Sequence, residues 1–416
     1  MGGLARRVSY EKLFRKNLAQ VPLLIVESGD FMTDEHNAHG ELRPDALIKD
    51  EWIRKAYDQF PADVINISSR DLRYISRLLQ KSGTAGNAET QPILKRLVSA
   101  NITSISPDKI APQPFVIREV PGRQSAKPVR VAFVGLTETG VAAPRGFKFT
   151  DVLETARRVI PEARKHADVV IAVAYFKSED AQRLASEVPD IDAIITGNSQ
   201  SDGAFFFTPL TVGKTLIVFT AYETRMMGEL LFYRDAQGKF SVRARYISLD
   251  TEVPDDPAAM QVVNAAREAE EGMREKSKTL LLGWLESTRR RKPAGESATA
   301  YTSSSACAQC HMAQYIKWSN SKHAHATDPL VSRQFEFEAS CLTCHATAQL
   351  KANAAELTKM QQVQCEQCHG PGGDHAAKPG KGYGRITNIQ AACSACHTPD
   401  TSPNFNAQTA WEKIKH

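Results

Sequence analysis

All eight cysteines of this chain lie between Cys307 and Cys396. They form four pairs with two residues between the members: "CAQCH" (Cys307, Cys310), "CLTCH" (Cys341, Cys344), "CEQCH" (Cys365, Cys368) and "CSACH" (Cys393, Cys396). A histidine follows each pair directly, at His311, His345, His369 and His397. Two thiols at this spacing add to the vinyl groups of a haem as thioethers, and the next residue sets its imidazole against the iron. Zinc would account for C-x-x-C pairs but gives no reason for a histidine after every one. A disulfide framework predicts irregular spacings and no obligatory histidine. The pattern therefore predicts four covalently attached haem c groups, each with a proximal histidine.

At 416 residues the chain has room for two or three domains. Hydrophobic residues make up 42% and charged residues 24%, the balance of an ordinary globular protein. The formal charge of +5 is small for this length and gives no argument for a nucleic-acid partner; haem propionates would lower it further. No apolar run approaches the roughly 20 residues that cross a membrane, "VVIAVAYF" being of strand length, so a soluble body with no transmembrane segment is expected.

Residues 1 to about 250 alternate between strand and helix patterns. "VPLLIVESGD", "ADVINIS", "VRVAFVGLTE", "ADVVIAVAYF", "IDAIITGNS" and "TLIVFTAY" read as strands. "PDALIKDEWIRKAYDQF", "FTDVLETARRVIPEARKH" and "SEDAQRLASEV" have helical apolar spacing. This alternation predicts an α/β layered domain. "GELLFYRDAQGKFSVRARYISL" reads as a hairpin turning at "DAQGK". From Pro257 to Ser287 the chain is charged and helical, and "STRRRKPAGESATA" reads as a linker whose "RRRK" is a solvated charge run. The expected organisation is an α/β domain over 1–255, a helical connection and linker over 256–299, and a mostly α-helical or irregular multihaem domain over 300–416. The last is poor in long apolar segments, so the haems themselves would supply much of its buried apolar surface.

The haem region carries further features. "YTSSSACAQCHMAQYIKWSNSKHAHA", "CLTCHATAQ" and "VQCEQCHGPGGDH" resemble the multihaem cytochromes of the cytochrome c554 family. The Tyr315 and Trp318 positions, the "SKHAHA" stretch and the "CHGPGGDH" turn carry the likeness, which covers about 100 residues. It implies closely stacked haems through which electrons hop, with His323 and His375 as distal ligands to haems other than their nearest. It also implies that the second haem, on His345, is five-coordinate. The residues support part of this independently. His375 lies beyond Gly370, Pro371, Gly372 and Gly373, a turn that sends its imidazole away from the His369 haem. His323 and His325, two apart, point in nearly opposite directions on a helix, so one is a candidate ligand and the other lies behind it or at the surface.

A count sharpens the point. Of eleven histidines four are proximal, and His36, His39 and His166 lie in the front domain. His323, His325, His375 and the terminal His416 remain for four distal places, and chain ends are usually too mobile to be dependable ligands. Met312 follows a proximal histidine and Met360 sits in what reads as a helical stretch, so neither is favoured. At least one iron is expected to lack a distal histidine.

Over residues 2 to 250, "GGLARRVSYEKLFRK", "VPLLIVESGDF", "VSANI", "VRVAFVGLTE" and "HADVVIAVAYFKSEDAQRLASEVPDIDAIITGNSQ" resemble the 5′-nucleotidase-like, calcineurin-type metallophosphatases. Such enzymes hold two metal ions that activate water against a phosphate ester. Carried across, Asp30 matches the bridging aspartate. Ser69 and Arg70 stand in place of the Asn-His motif, Tyr175 in place of a histidine, and Asn198 and Gln200 in place of the last two. Neutral amides are far poorer ligands than imidazole, so a catalytically silent scaffold or docking module is expected. His36 and His39 in "DEHNAHG" read as a polar surface loop. The family's first strand would lie upstream of Gly2; either Met1 is an internal start or the strand is absent. The same gap would account for a missing export signal, since haem attachment implies a periplasmic or extracellular location. The expected role is electron transfer between redox protein partners, with oligomerisation left open; a redox enzyme acting on a small nitrogen or oxygen species at an open iron is the alternative.

Overall fold

The computed structural model describes residues 3–33, 42, 44–79, 92–122, 127–139, 142–197, 208–220, 224–235, 237–290, 301–333, 335–347, 359–399 and 401–416. The chain divides into two compact units, Met1–Glu268 and Ala269–His416.

The front unit contains strands β1 (Val26–Glu27), β2 (Val64–Asn66), β3 (Leu97–Val98), β4 (Ile102–Ser104), β5 (Phe115–Val120), β6 (Val129–Leu136), β7 (Phe147–Phe149), β8 (Val169–Ala174), β9 (Ala193–Thr196), β10 (Leu210–Val212), β11 (Thr215–Phe219), β12 (Met226–Arg234) and β13 (Phe240–Ser248). Its helices are α1 (Leu4–Asn17), α2 (Pro44–Gln59), α3 (Leu72–Leu78), α4 (Val152–His166) and α5 (Ser178–Glu187), and α6 (Pro257–Arg290) begins there. Six strands form one sheet in the order β10-β11-β9-β8-β6-β5. The inner four run parallel and both edges are antiparallel. A second, parallel sheet is ordered β1-β2-β3.

Every residue of β8 and β9 is buried, which is why these strands read as unbroken apolar runs rather than alternating ones. One face of the large sheet packs on Ala156, Val159, Ile160 and Ala163 of α4 and on Ala181 and Leu184 of α5. The spacing of the α4 residues is that of one helix face. Asp151 caps α4 by accepting the Glu154 N–H at 2.8 Å, and Arg164, Lys165 and His166 oppose the dipole at its other end. Val131, Phe133, Val169 and Ile171 on the opposite face cluster with Val64 of β2 and Val98 of β3. The approach is close: a Cβ at Gly135 would stand 2.5 Å from the Val98 carbonyl, so only glycine fits there. Asn66 donates to the carbonyls of Ser28 (2.9 Å) and Leu136 (3.1 Å), tying together the C-terminal ends of β1, β2 and β6.

The expected α/β layers and the hairpin are present, the latter pairing Met226 with Ser248 through Arg234 with Phe240. Two details differ from the sequence reading. "VPLLIVESGD" pairs only at Val26–Glu27, because β1 is an edge strand and the Asp63 carboxylate takes the Ile25 N–H at 2.7 Å. Helix α1 was not expected from the pattern; its buried residues include Arg7 and Ser9, so no clean apolar stripe announces it.

The rear unit holds the remainder of α6 and short helices α7 (Ser304–Cys307), α8 (Met312–Ser319), α9 (Asp328–Ser332), α10 (Ala339–His345), α11 (Cys365–His369), α12 (Gly373–Ala377), α13 (Ile389–Ser394) and α14 (Ala407–Ile414). Residues 291–300 of the expected linker lie outside the described residues. No helix among the described residues is long and apolar enough to cross a membrane. The apolar core is small: Leu281, Leu330, Phe335, Leu342 and Ala346. Buried polar groups do much of the fastening. The Glu366 carboxylate, inside the third C-x-x-C pair and 2% exposed, accepts the N–H groups of Thr302 (2.9 Å), Ser303 (2.8 Å) and Gly372 (2.7 Å). Gln364 accepts the Ser304 N–H at 2.7 Å, and the Ser304 hydroxyl accepts the Cys365 N–H at 3.1 Å. The first motif is thereby docked on the third.

Removing the Glu366 acceptor strands three donors, those of the buried Ser303 and Gly372 and of the half-buried Thr302. Glu366→Ala is expected to destabilise the holoprotein by roughly 3 kcal/mol or more. Urea unfolding followed by the haem absorbance measures this; an unchanged midpoint would contradict the assigned role.

Candidate haem-binding site

Each C-x-x-C-H motif is a turn of helix or sits at one end of it. The His311 N–H donates to Cys307 O at 2.9 Å and the His397 N–H to Cys393 O at 3.0 Å. His345 and His369 are the last residues of α10 and α11. This i to i+4 closure places both sulfurs and the imidazole around one turn, as attachment to a single planar ring requires.

Three of the four proximal candidates are faced by a second imidazole. Ring centres of His311 and His375 are 6.3 Å apart, of His323 and His397 6.3 Å, and of His369 and His416 5.8 Å. Two imidazoles bound on opposite sides of one metal, with bonds near ~2 Å, have centres about 6 Å apart. Nothing direct holds two neutral rings at that separation, so the spacing fits a metal between them, and the flanking cysteines fit a haem around it. His345 faces no second histidine among the described residues.

Local structure accounts for the placement. Gly370, at φ 81°, ends α11 and lets the chain reverse into α12, which carries His375 to His311. His323 opens toward His397 from a short 3₁₀ turn, Lys322–His325, whose carbonyl at His323 accepts the Val363 N–H at 3.0 Å. Trp318 donates to the Val363 carbonyl at 2.8 Å, binding the same segment. His325 points elsewhere and pairs with Asp328 at 3.1 Å. His416, set aside in the sequence reading on grounds of end mobility, is held: α14 packs on α13, and Lys317 donates to the Lys415 carbonyl at 2.5 Å. The amphipathic run "AWEKI" just before it was the signal to weigh. Met312 is 55% exposed, and Met360 is fully buried in a turn rather than in the expected helix.

The second nitrogen of three of the four proximal rings is engaged. His345 Nδ1 meets the Ala326 carbonyl at 2.5 Å, His369 Nδ1 the Gly384 carbonyl at 2.6 Å, and His397 Nδ1 the Ser402 hydroxyl at 3.0 Å. Such bonds fix the ring orientation and leave Nε2 for the metal. Burial, then His397, lowers the His323 pKa, and burial lowers that of His397. Both are therefore biased to the neutral form that ligates metals.

Thiols of different motifs also meet. Contact with Cys365, then burial, pushes the Cys307 thiol well above its usual range, while the same contact brings Cys365 down to about 6. Burial, then Cys344, pushes Cys396 up to about 12. The first motif thus adjoins the third, and the second adjoins the fourth. The remaining cysteines, Cys310, Cys341, Cys368 and Cys393, complete the pairs.

The front unit has a second cluster at the strand ends. Tyr175 donates to Asp30 at 2.6 Å, and the Arg70 guanidinium stands 3.4 Å from the same carboxylate. Ser69 donates its hydroxyl to Glu138 at 2.6 Å. The buried Asp71 carboxylate accepts the N–H groups of Asp30 (2.7 Å), Phe31 (2.9 Å), Met32 (2.8 Å) and Ser68 (2.8 Å), and holds Asp30 at φ 62°. Burial pushes Asp71 up to about 7. Asp30, Arg70 and Tyr175 therefore do converge, but as a hydrogen-bonded ion pair. Among the described residues a metal pair does not fit here, because the Arg70 guanidinium already faces Asp30. Among the described residues no group of three or more His, Cys, Asp or Glu could hold a metal ion. Asn198, Gln200, His36 and His39 lie outside the described residues.

Comparison with known proteins agrees with both halves. A family model described as "Cytochrome c554 and c-prime" matches residues 306–370. By structure the chain resembles the sulfate thiohydrolase SoxB of Thermus thermophilus, at TM-score 0.51 and 17% identity, over 65% of this chain and 48% of that one. It also resembles the NAD nucleotidase of Haemophilus influenzae, at TM-score 0.51 and 13% identity, over 68% of this chain and 64% of that one. The chain thus spans about half to two thirds of these proteins, and at such identities the likeness is one of fold. No curated protein matches by sequence. The chain thus joins a front domain with the metallophosphatase-like fold to a rear region that the cytochrome c554 family matches over residues 306–370, a match that implies covalently bound haem c.

Proposed function

We propose that the chain is a tetrahaem electron carrier working outside the cytoplasm between redox protein partners. The observation that carries this reading is the set of three opposed histidine pairs, each built on a C-x-x-C-H motif. Haem supplies reversible one-electron chemistry when bound. The residues around it do the rest. Cys307 and Cys310, Cys341 and Cys344, Cys365 and Cys368, and Cys393 and Cys396 would anchor four haems by thioether bonds. His311, His345, His369 and His397 would ligate them from one side, and His375, His416 and His323 would close the first, third and fourth from the other. Ligands held by hydrogen bonds at Nδ1 reorganise little when the charge on the metal changes, which favours transfer over chemistry. The contacts Cys307–Cys365 and Cys344–Cys396 support short steps between first and third and between second and fourth positions.

A second reading rests on His345. A haem held there would have no opposing imidazole among the described residues, which would leave a coordination place for a small nitrogen or oxygen species. The front domain would serve docking or assembly, because Arg70 and Tyr175 occupy Asp30 where a hydrolase needs metal.

Protein matured with haem-attachment machinery should carry four covalent haems by mass spectrometry, and Cys368→Ala should weaken only the third attachment; fewer than four in the parent chain contradicts the reading. Reduced protein should bind carbon monoxide at one haem, and His416→Ala should add a second binding haem and a high-spin ferric signal. Four low-spin haems in the parent chain would remove the open site, and an unchanged His416→Ala spectrum would remove His416 from the ligand set. Neither nucleotides nor generic phosphate esters should be hydrolysed in the presence of added divalent metal; hydrolysis abolished by Asp30→Ala would overturn the silent-scaffold assignment.

A further inference from the structure

Between Ala376 and Asn388 the chain carries Lys378, Lys381 and Arg385 and no acidic residue. All three are exposed. In their midst Tyr383, 38% exposed, lays its ring on that of His375, with centres 4.6 Å and planes 10° apart. Its hydroxyl donates to the Gly370 carbonyl, fixing the ring from the other end. The next residue, Gly384, accepts from His369 Nδ1 at 2.6 Å, and a Cβ there would stand 2.8 Å from the His369 Cβ. This segment is therefore clamped onto His369 of the third motif and onto His375, which faces His311, while its cations face solvent.

Packing does not require that a half-open aromatic ring on an imidazole sit within a stretch whose charged residues are three exposed cations and no anion. Electron exchange between proteins gives a reason for it. It needs a brief encounter over a small area, steered by opposite charge, and a short contact path from surface to redox centre. We propose that this segment is the docking surface for an acidic redox protein, and that electrons cross it through Tyr383 and His375. The proposal rests on the electron-carrier reading. The step is a one-electron exchange: the chain is oxidised by one electron, the partner is reduced by one, and no bond or proton changes place.

The test uses the reduced holoprotein and two oxidants of opposite charge, ferricyanide and tris(phenanthroline)cobalt(III), in stopped flow. Oxidation by ferricyanide should slow as salt is raised. At low salt the triple variant Lys378→Glu, Lys381→Glu, Arg385→Glu should lower that rate roughly tenfold or more. The rate with the cobalt cation should not fall. Tyr383→Leu, which keeps the charges, should also slow ferricyanide. Hexacyanochromate(III), a redox-inert paramagnetic trianion, should broaden the Tyr383 ring signals of the reduced parent chain and not those of the rest of the rear unit. Equal loss with both oxidants, no loss with either, or broadening centred elsewhere would overturn the proposal. A triple variant with shifted midpoint potentials but an unchanged ratio of the two rates would assign the cations to haem propionates and overturn it as well. A parent chain that exchanges electrons with neither reagent would overturn the carrier reading and this proposal together; exchange that ignores the variants overturns this proposal alone.

Discussion

Imidazole pairs some 6 Å apart organise the rear unit. His311 meets His375, His323 meets His397, and His369 meets His416, so each pair joins segments far apart in sequence. Closing such loops costs chain entropy, and two neutral rings at that separation offer each other almost nothing in return. A metal between them would change the balance, because ligand binding would then count toward folding. This accounts for a unit whose apolar core is only a handful of residues around Leu330, Phe335 and Leu342. On the proposed ligand set, covalent anchoring and coordination replace the burial that a conventional domain of this length would use.

The helices here are correspondingly short. Most span four to eight residues, too few to be stable by local propensity. They are set by buried polar contacts instead, above all the Glu366 carboxylate and the Gln364 amide, which join the first motif to the third. The residues between the two cysteines of a C-x-x-C pair are free of any role in attachment, and in the third motif one of them became the clasp.

The front unit shares its fold with phosphoesterase-like structures, and its strand ends are organised by buried polar groups. Asp71 still organises the loop at Asp30 through four backbone N–H groups, and Asn66 still joins the strand ends. These interactions hold the sheets together whether or not a metal is present. What differs is the charge at Asp30, which is compensated by Arg70 and hydrogen-bonded by Tyr175.

Covalent chemistry and periodicity were readable from the sequence alone. Attachment geometry is local, closed within five residues, so the four C-x-x-C-H motifs announce themselves. Buried parallel strands such as β8 and β9 announce themselves as apolar runs, and α4 by its stripe and its cap. Helix α1 and the shortness of β1 were not legible, because Arg7 and the Asp63 side chain act through distant partners, Phe60 and Ile25. The pairing of histidines was likewise beyond the sequence. His323 and His325 differ in role only because one turns toward His397 and the other toward Asp328. His416 faces His369 only because Lys317 and α13 hold the tail in place. Sequence determines which groups can bind a metal, since that is a matter of side-chain chemistry and short spacing; which two face each other is a matter of distance, and distance between remote segments exists only once the chain has folded.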